Sequence, residues 1–77
     1  MYIYNQFDDL IIKQQNDASG NPIYTGQATP GTADSVASWR ICKWTWDGNN
    51  AMLTRLFADG SVRFDKEWDE RANYTYK

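Results

Sequence analysis

Residues 38–64, SWRICKWTWDGNNAMLTRLFADGSVRF, decide the fold of this 77-residue chain. They contain three of its four tryptophans, its single cysteine and two Asp-Gly steps. Asp-Gly pairs favour tight hairpin turns, because both residues tolerate the positive φ that such turns require. We therefore expect a β-meander with a central strand over 39–46, a turn at 47–50, a return strand over 51–58, a second turn at 59–60 and a short third strand over 61–64.

Alternation along the central strand places large side chains on both of its faces. The two sets are Trp39, Ile41, Lys43 and Thr45 on one face, and Arg40, Cys42, Trp44 and Trp46 on the other. Neither face is purely apolar. We therefore expect cover on both sides over part of the strand, from the core of the sheet and from another layer or subunit.

The flanking residues supply the other elements. Residues 10–15 and 23–28 predict a hairpin around the turn formers of 16–22. Asp65 is expected to cap a short helix over 66–72, and the tyrosines of 74–76 indicate a last strand. The predicted fold is mainly β, a small antiparallel β-sandwich or partly open barrel with one short C-terminal helix, in a single domain of residues 1–77. Residues 1–5 predict a short strand or a docking arm.

Composition argues against several classes of function. The net charge is −2 and the basic residues are scattered among acidic ones, which disfavours nucleic-acid binding. No apolar run is long enough for a membrane helix, and no signal peptide is evident, so we expect a protein made in a cytoplasm. Without histidine, neither a common zinc set nor a Ser-His or Cys-His pair can form in one chain. We expect no enzyme, no metal and no cofactor.

The small size of the chain raises the question of what stabilises its folded state. Domains of this length are marginal without a disulfide, a metal or a partner subunit. One cysteine cannot form an internal disulfide, and Cys42 in the central strand is interpreted as a small buried apolar residue. A dense core of the chain's twelve aromatic residues, a homo-oligomer, or both remain.

Four residues are candidates for binding: Trp44, Trp46, Tyr24 and Asn49. The two tryptophans share a strand face beside the polar turn, an arrangement that could stack on a sugar ring. In so small a domain, core or subunit interface is the favoured interpretation of these tryptophans. Aromatic residues also dominate protein–protein contacts, and the terminal tyrosines are further candidates for that role. These are Tyr2, Tyr4, Tyr74 and Tyr76.

An ordered series of Trp, Gly and Asp positions runs through residues 23–76. Its segments are IYTGQATPGT at 23–32, WRI at 39–41, WDG at 46–48, ADG at 58–60 and FDKEWDERANYTY at 64–76. In this pattern the chain resembles a group of short proteins encoded by tailed bacteriophages and prophages. The resemblance implies a small virion-associated or assembly protein without a catalytic role, and it implies no particular site residues.

The resulting hypothesis is a small bacteriophage structural or assembly protein that acts through protein–protein contacts. It would be a homo-oligomer that could also contact other phage structural proteins, in the host cytoplasm during assembly and in the virion. One alternative is a carbohydrate-binding module on a phage surface that uses Trp44, Trp46 and Asn49. Another is a small inhibitor that binds a host protein through an acidic surface.

Overall fold

A single four-stranded antiparallel sheet carries the fold in the computed structural model, which describes residues 10–77. The strands pair in chain order, so the meander extends over the whole sheet. They are β1 (Ile11–Asn16), β2 (Pro22–Ala28), β3 (Arg40–Trp46) and β4 (Met52–Phe57). The mainly β prediction is confirmed, as are the first hairpin, the central strand and the return strand. The predicted sandwich or barrel is not confirmed, because the sheet does not close and residues 10–77 form only one sheet.

The predicted third strand over 61–64 is wrong. Asp59 and Gly60 do adopt positive φ values, of 55° and 68°, as the Asp-Gly step predicts. The chain then leaves the sheet and returns at Lys66, whose N–H and C=O pair with the main chain of Trp39 at 2.9 and 2.8 Å. This bridge holds the returning chain beside the start of β3, where it can cross over the sheet.

The predicted C-terminal helix is a 3-10 helix, Trp68–Asn73, and it begins later than expected. Asp65 does not cap it. The preceding residue, Glu67, is extended and makes no side-chain capping bond. Because the main chain of Lys66 is engaged in the bridge to Trp39, a helix cannot begin there. The first turn of helical hydrogen bonds therefore forms only beyond Lys66.

The end of the chain pairs with the end of β4. Tyr76 forms an isolated antiparallel bridge with Ala58, in place of the predicted strand over 74–76. Beside it, the N–H and C=O groups of Phe57 and Lys77 bond to each other at 3.2 and 3.1 Å. The C-terminal segment is thus fixed at two points, at Lys66 and at Tyr76–Lys77.

The core lies between the sheet and this C-terminal segment. The indoles of Trp39 and Trp68 pack with their centroids 5.9 Å apart, and both are buried. Ile41, Ala28 and Ala58 complete the buried cluster. We call this side of the sheet the covered face. Gly26 lies in β2 beneath the two indoles, where an added Cβ would stand 2.6 Å from Trp68 Cε3 and 3.1 Å from Trp39 Cε3.

The turn between β1 and β2 and the turn between β3 and β4 have the same hydrogen-bonding pattern. Asp17 and Asp47 each accept two main-chain N–H groups on their Oδ1, from the second and the fourth residue after them. The third residue after each aspartate has positive φ, 85° at Gly20 and 62° at Asn50. The Asn21 amide donates to Asn50 Oδ1 at 2.8 Å and joins the turns. In the second turn the residue with positive φ is Asn50, and Gly48 does not have a positive φ.

Replacing Gly26 by alanine is expected to lower the free energy of unfolding by about 1–3 kcal/mol, because the added methyl group overlaps the Trp68 indole and lies in tight contact with Trp39. The matched control is Gly48→Ala, since Gly48 has neither positive φ nor an atom within 4 Å of the added carbon. Urea unfolding followed by tryptophan fluorescence measures both. Equal stability of the two variants would contradict the packing described for Gly26.

Candidate functional site

The second face of the sheet holds a cavity of about 270 Å³. Every described residue that lines it belongs to one of the four strands, and no described residue of the C-terminal segment contributes. We call this side the open face. Its lining residues are Ile12, Thr25, Gln27, Arg40, Cys42, Trp44, Arg55 and Phe57. The antiparallel register places Thr25 and Phe57 on either side of Cys42, and Arg55 beside Trp44, so three strands build the floor.

Trp44 and Trp46 lie side by side on the open face, as the alternation predicted. Their rings are nearly parallel, at 14°, with centroids 6.3 Å apart. Trp44 Nε1 donates to Thr25 Oγ1 at 2.8 Å, and Trp46 Nε1 donates to the carbonyl of Pro22 at 2.6 Å. These bonds tie both indoles to β2 and satisfy their only polar atoms.

Two arginines give the open face its charge. The Arg55 guanidinium lies over Trp44 and Phe57, 5.6 and 5.4 Å from the ring centroids. Arg40 donates from Nε and Nη2 to Gln27 Oε1 and lies over Phe64 at 5.0 Å. Contacts of a cation with an aromatic face are favourable, and they hold the guanidinium groups against the sheet.

Cys42 forms part of the cavity floor, and its thiol is buried. Burial raises the pKa of this thiol above its ordinary value. The guanidinium groups of Arg55 and Arg40 and a hydrogen bond with Thr25 act in the opposite direction, but burial dominates. The interpretation of Cys42 as a small buried residue is confirmed. Because the thiolate is the reactive form, the arrangement disfavours nucleophilic chemistry at this sulfur.

The other predicted candidates lie elsewhere. Tyr24 is on the covered face, with its ring centroid 5.7 Å from that of Tyr76. Asn49 belongs to the second turn, where its N–H donates to Asp47 Oδ1. Tyr76 and Tyr74 pack on the core and are only partly exposed. Tyr2 and Tyr4 lie outside the described residues. The structure therefore brings Trp44 and Trp46 together and separates both from Tyr24.

Sequence reasoning missed most of the cavity, including Arg55, Phe57, Thr25 and Ile12. Alternation alone could place Arg40 and Cys42 beside Trp44, since all three belong to one strand. The neighbours from other strands depend on register, and the register shifts between Thr45 and Trp46. A single sequence carries no clear signal for such a shift.

Comparison of the chain with family models, curated proteins and solved structures gave no match. Within the part of the chain that the structure describes, no group of three or more Cys, Asp or Glu residues is placed to hold a metal ion. That same part has no helix with the length and apolar character that a membrane crossing requires.

Alkylation of Cys42 by iodoacetamide at pH 8 is expected to be several-fold slower in the native protein than in protein unfolded in urea. Burial limits the access of the reagent to the thiol and raises the thiol pKa. The alkylation rate of the native protein should therefore rise at higher pH values than the rate of the unfolded protein. Mass spectrometry of timed samples measures both rates. Equal rates at every pH would show that the thiol is neither protected nor perturbed.

Proposed function

We propose that this chain is a small bacteriophage structural or assembly protein, without enzymatic activity, that acts by binding other proteins through its sheet. The observation that carries this proposal is the unequal covering of the two faces. The covered face is buried under the C-terminal segment, whereas Ile12 on the open face is 64% exposed. Exposed apolar residues also occur along β4, at Met52, Leu53 and Leu56. Apolar surface of this kind favours association.

The outer edge of β4 supports self-association. The main chain of Phe57 points away from β3, because it bonds to Lys77, and that of Ala58 points toward β3, because it bonds to Ile41. In an antiparallel strand these directions alternate, so the N–H and C=O of Arg55 also point outward. An exposed edge of this type pairs readily with another strand. If the β4 strands of two copies pair antiparallel, the two copies are related by a two-fold axis, which gives a closed dimer.

A partner on the open face would also provide the second layer of the predicted β-sandwich. In this proposal the layer comes from another protein of the phage particle, and the homo-oligomer forms at the β4 edge. The protein would act in the host cytoplasm during assembly and in the virion. The resemblance of residues 23–76 to short proteins of tailed phages supports this location.

Carbohydrate binding has less support as the proposed function. Arg55 lies over the ring of Trp44, and both indole N–H groups are bonded within the chain. Asn49 uses its main-chain N–H in the second turn. The stacking surface and two of the donors that a sugar would require are therefore already engaged. An inhibitor that binds through an acidic surface also has less support, since the open face carries arginines.

Self-association has a direct test in light scattering behind size exclusion, where we expect a mass above that of the 8.9-kDa chain. Leu53→Lys should shift the protein toward the monomer, because it places a charge at the exposed β4 edge. Val62→Lys is the matched control, since Val62 and Leu53 are both 61% exposed and Val62 lies outside the sheet. A wild-type monomer at several hundred micromolar would contradict the proposed oligomer.

The role in phage particles is tested by quantitative mass spectrometry of virions purified from a phage that encodes this chain. A structural protein should be present in a constant number of copies per particle, and an assembly protein should be enriched in immature particles. Affinity capture from infected cells is the companion measurement. Absence from both kinds of particle, together with stoichiometric capture of one host protein, would contradict the proposal and favour the inhibitor.

A further inference from the structure

Charge is distributed unevenly between the strands and the rest of the molecule. The four strands contain four basic residues, Lys13, Arg40, Lys43 and Arg55, and no Asp or Glu. The chain as a whole nevertheless has a net charge of −2. Every Asp and Glu of residues 10–77 lies outside these four strands, and the sheet is a basic surface within an acidic protein.

The basic residues of the covered face already have partners. Lys13 Nζ forms an ion pair with Asp34 at 2.6 Å, and Lys43 lies over the ring of Tyr24 at 5.9 Å. Arg55 is on the open face, where no carboxylate of the described residues lines the cavity. Among residues 10–77, Arg55 makes no ion pair. The open face thus has positive charge that an external carboxylate can complement.

The residues around Arg55 favour the binding of a carboxylate by its guanidinium group. Its guanidinium lies over Trp44 and Phe57, and a guanidinium in contact with an aromatic ring can still donate from its N–H groups. A guanidinium can donate two parallel N–H bonds to one carboxylate. The Thr25 hydroxyl and Gln27 amide add polar groups to the same cavity.

The rest of the open face indicates what should accompany the carboxylate. Ile12 is largely exposed at one side of the cavity, and Phe57 and Trp44 form apolar walls. We infer that this cavity is a docking site for a partner polypeptide that carries an aspartate or glutamate next to an aromatic side chain, with Arg55 binding the carboxylate. The inference rests on the proposed function, since it names the chemistry of the protein that the open face would bind.

The test is an NMR titration of the full chain, labelled with ¹⁵N, with the peptide Ac-Gly-Phe-Asp-Gly-NH₂. We expect saturable shifts of the Trp44 indole N–H and of the Arg55 Nε–H. The neutral peptide Ac-Gly-Phe-Asn-Gly-NH₂ should bind about tenfold more weakly, as expected for the loss of a charged hydrogen bond. Arg55→Gln should weaken binding of the aspartate peptide by a similar factor. Arg63→Gln is the matched control, because Arg63 is exposed and does not line the cavity.

Several results would overturn the inference. One is equal affinity for the aspartate and asparagine peptides. Another is an equal effect of Arg55→Gln and Arg63→Gln, which would indicate attraction by overall charge. A third is loss of the oligomer in Arg55→Gln without a change in peptide affinity, which would make the open face a self-association surface. Peptide binding by a protein that is always monomeric would contradict the proposed oligomer and support the carboxylate site. An oligomer that does not bind the peptide would support the proposed oligomer and contradict the carboxylate site.

Discussion

The fit of Gly26 beneath Trp68 and Trp39 is the contact on which the rest of the structure depends. Without a side chain at this position, the Trp68 ring can approach the main chain of β2, and the 3-10 helix can pack on the sheet through this ring. That placement lets Lys66 bridge to Trp39 and Tyr76 bridge to Ala58. A two-layer core then forms from few residues, because two indoles bury much apolar surface for each residue ordered.

The same contact determines which face of the sheet remains available. The returning chain contributes Trp68, Tyr74 and Tyr76 to one side, and no described part of it contributes to the cavity on the other. A sheet with one covered face leaves its second face to solvent or to a partner. Here that face combines aromatic walls with the guanidinium of Arg55, and every Asp and Glu among residues 10–77 lies outside the four strands. The surface left by folding is therefore distinct in both shape and charge from the rest of the molecule.

Local patterns predicted those parts of the fold that depend on neighbours in the chain. Strand alternation and turn-forming residues located the first hairpin, β3 and β4 to within one or two residues. The predictions that were wrong concern residues 61–76, where the outcome depends on distant partners. Lys66 pairs with Trp39 across a separation of twenty-seven residues, and this bridge removes the third strand and delays the helix. For the candidate site, alternation placed Trp44 and Trp46 on one face. It could not exclude Tyr24 or identify Arg55, because those positions depend on pairing between strands.

The sequence by itself determined the mainly β character, the order of the hairpins and the face that Trp44 and Trp46 share, since a period of two and the preferences of turn residues act over a few positions. Only the tertiary structure decided which face is covered, how the last twelve residues cross the sheet and which side chains surround Trp44. Those features depend on the close approach of Trp68 to Gly26 and on the register of β2, β3 and β4. Contacts between residues far apart in the chain set both, and they act only once the sheet has formed.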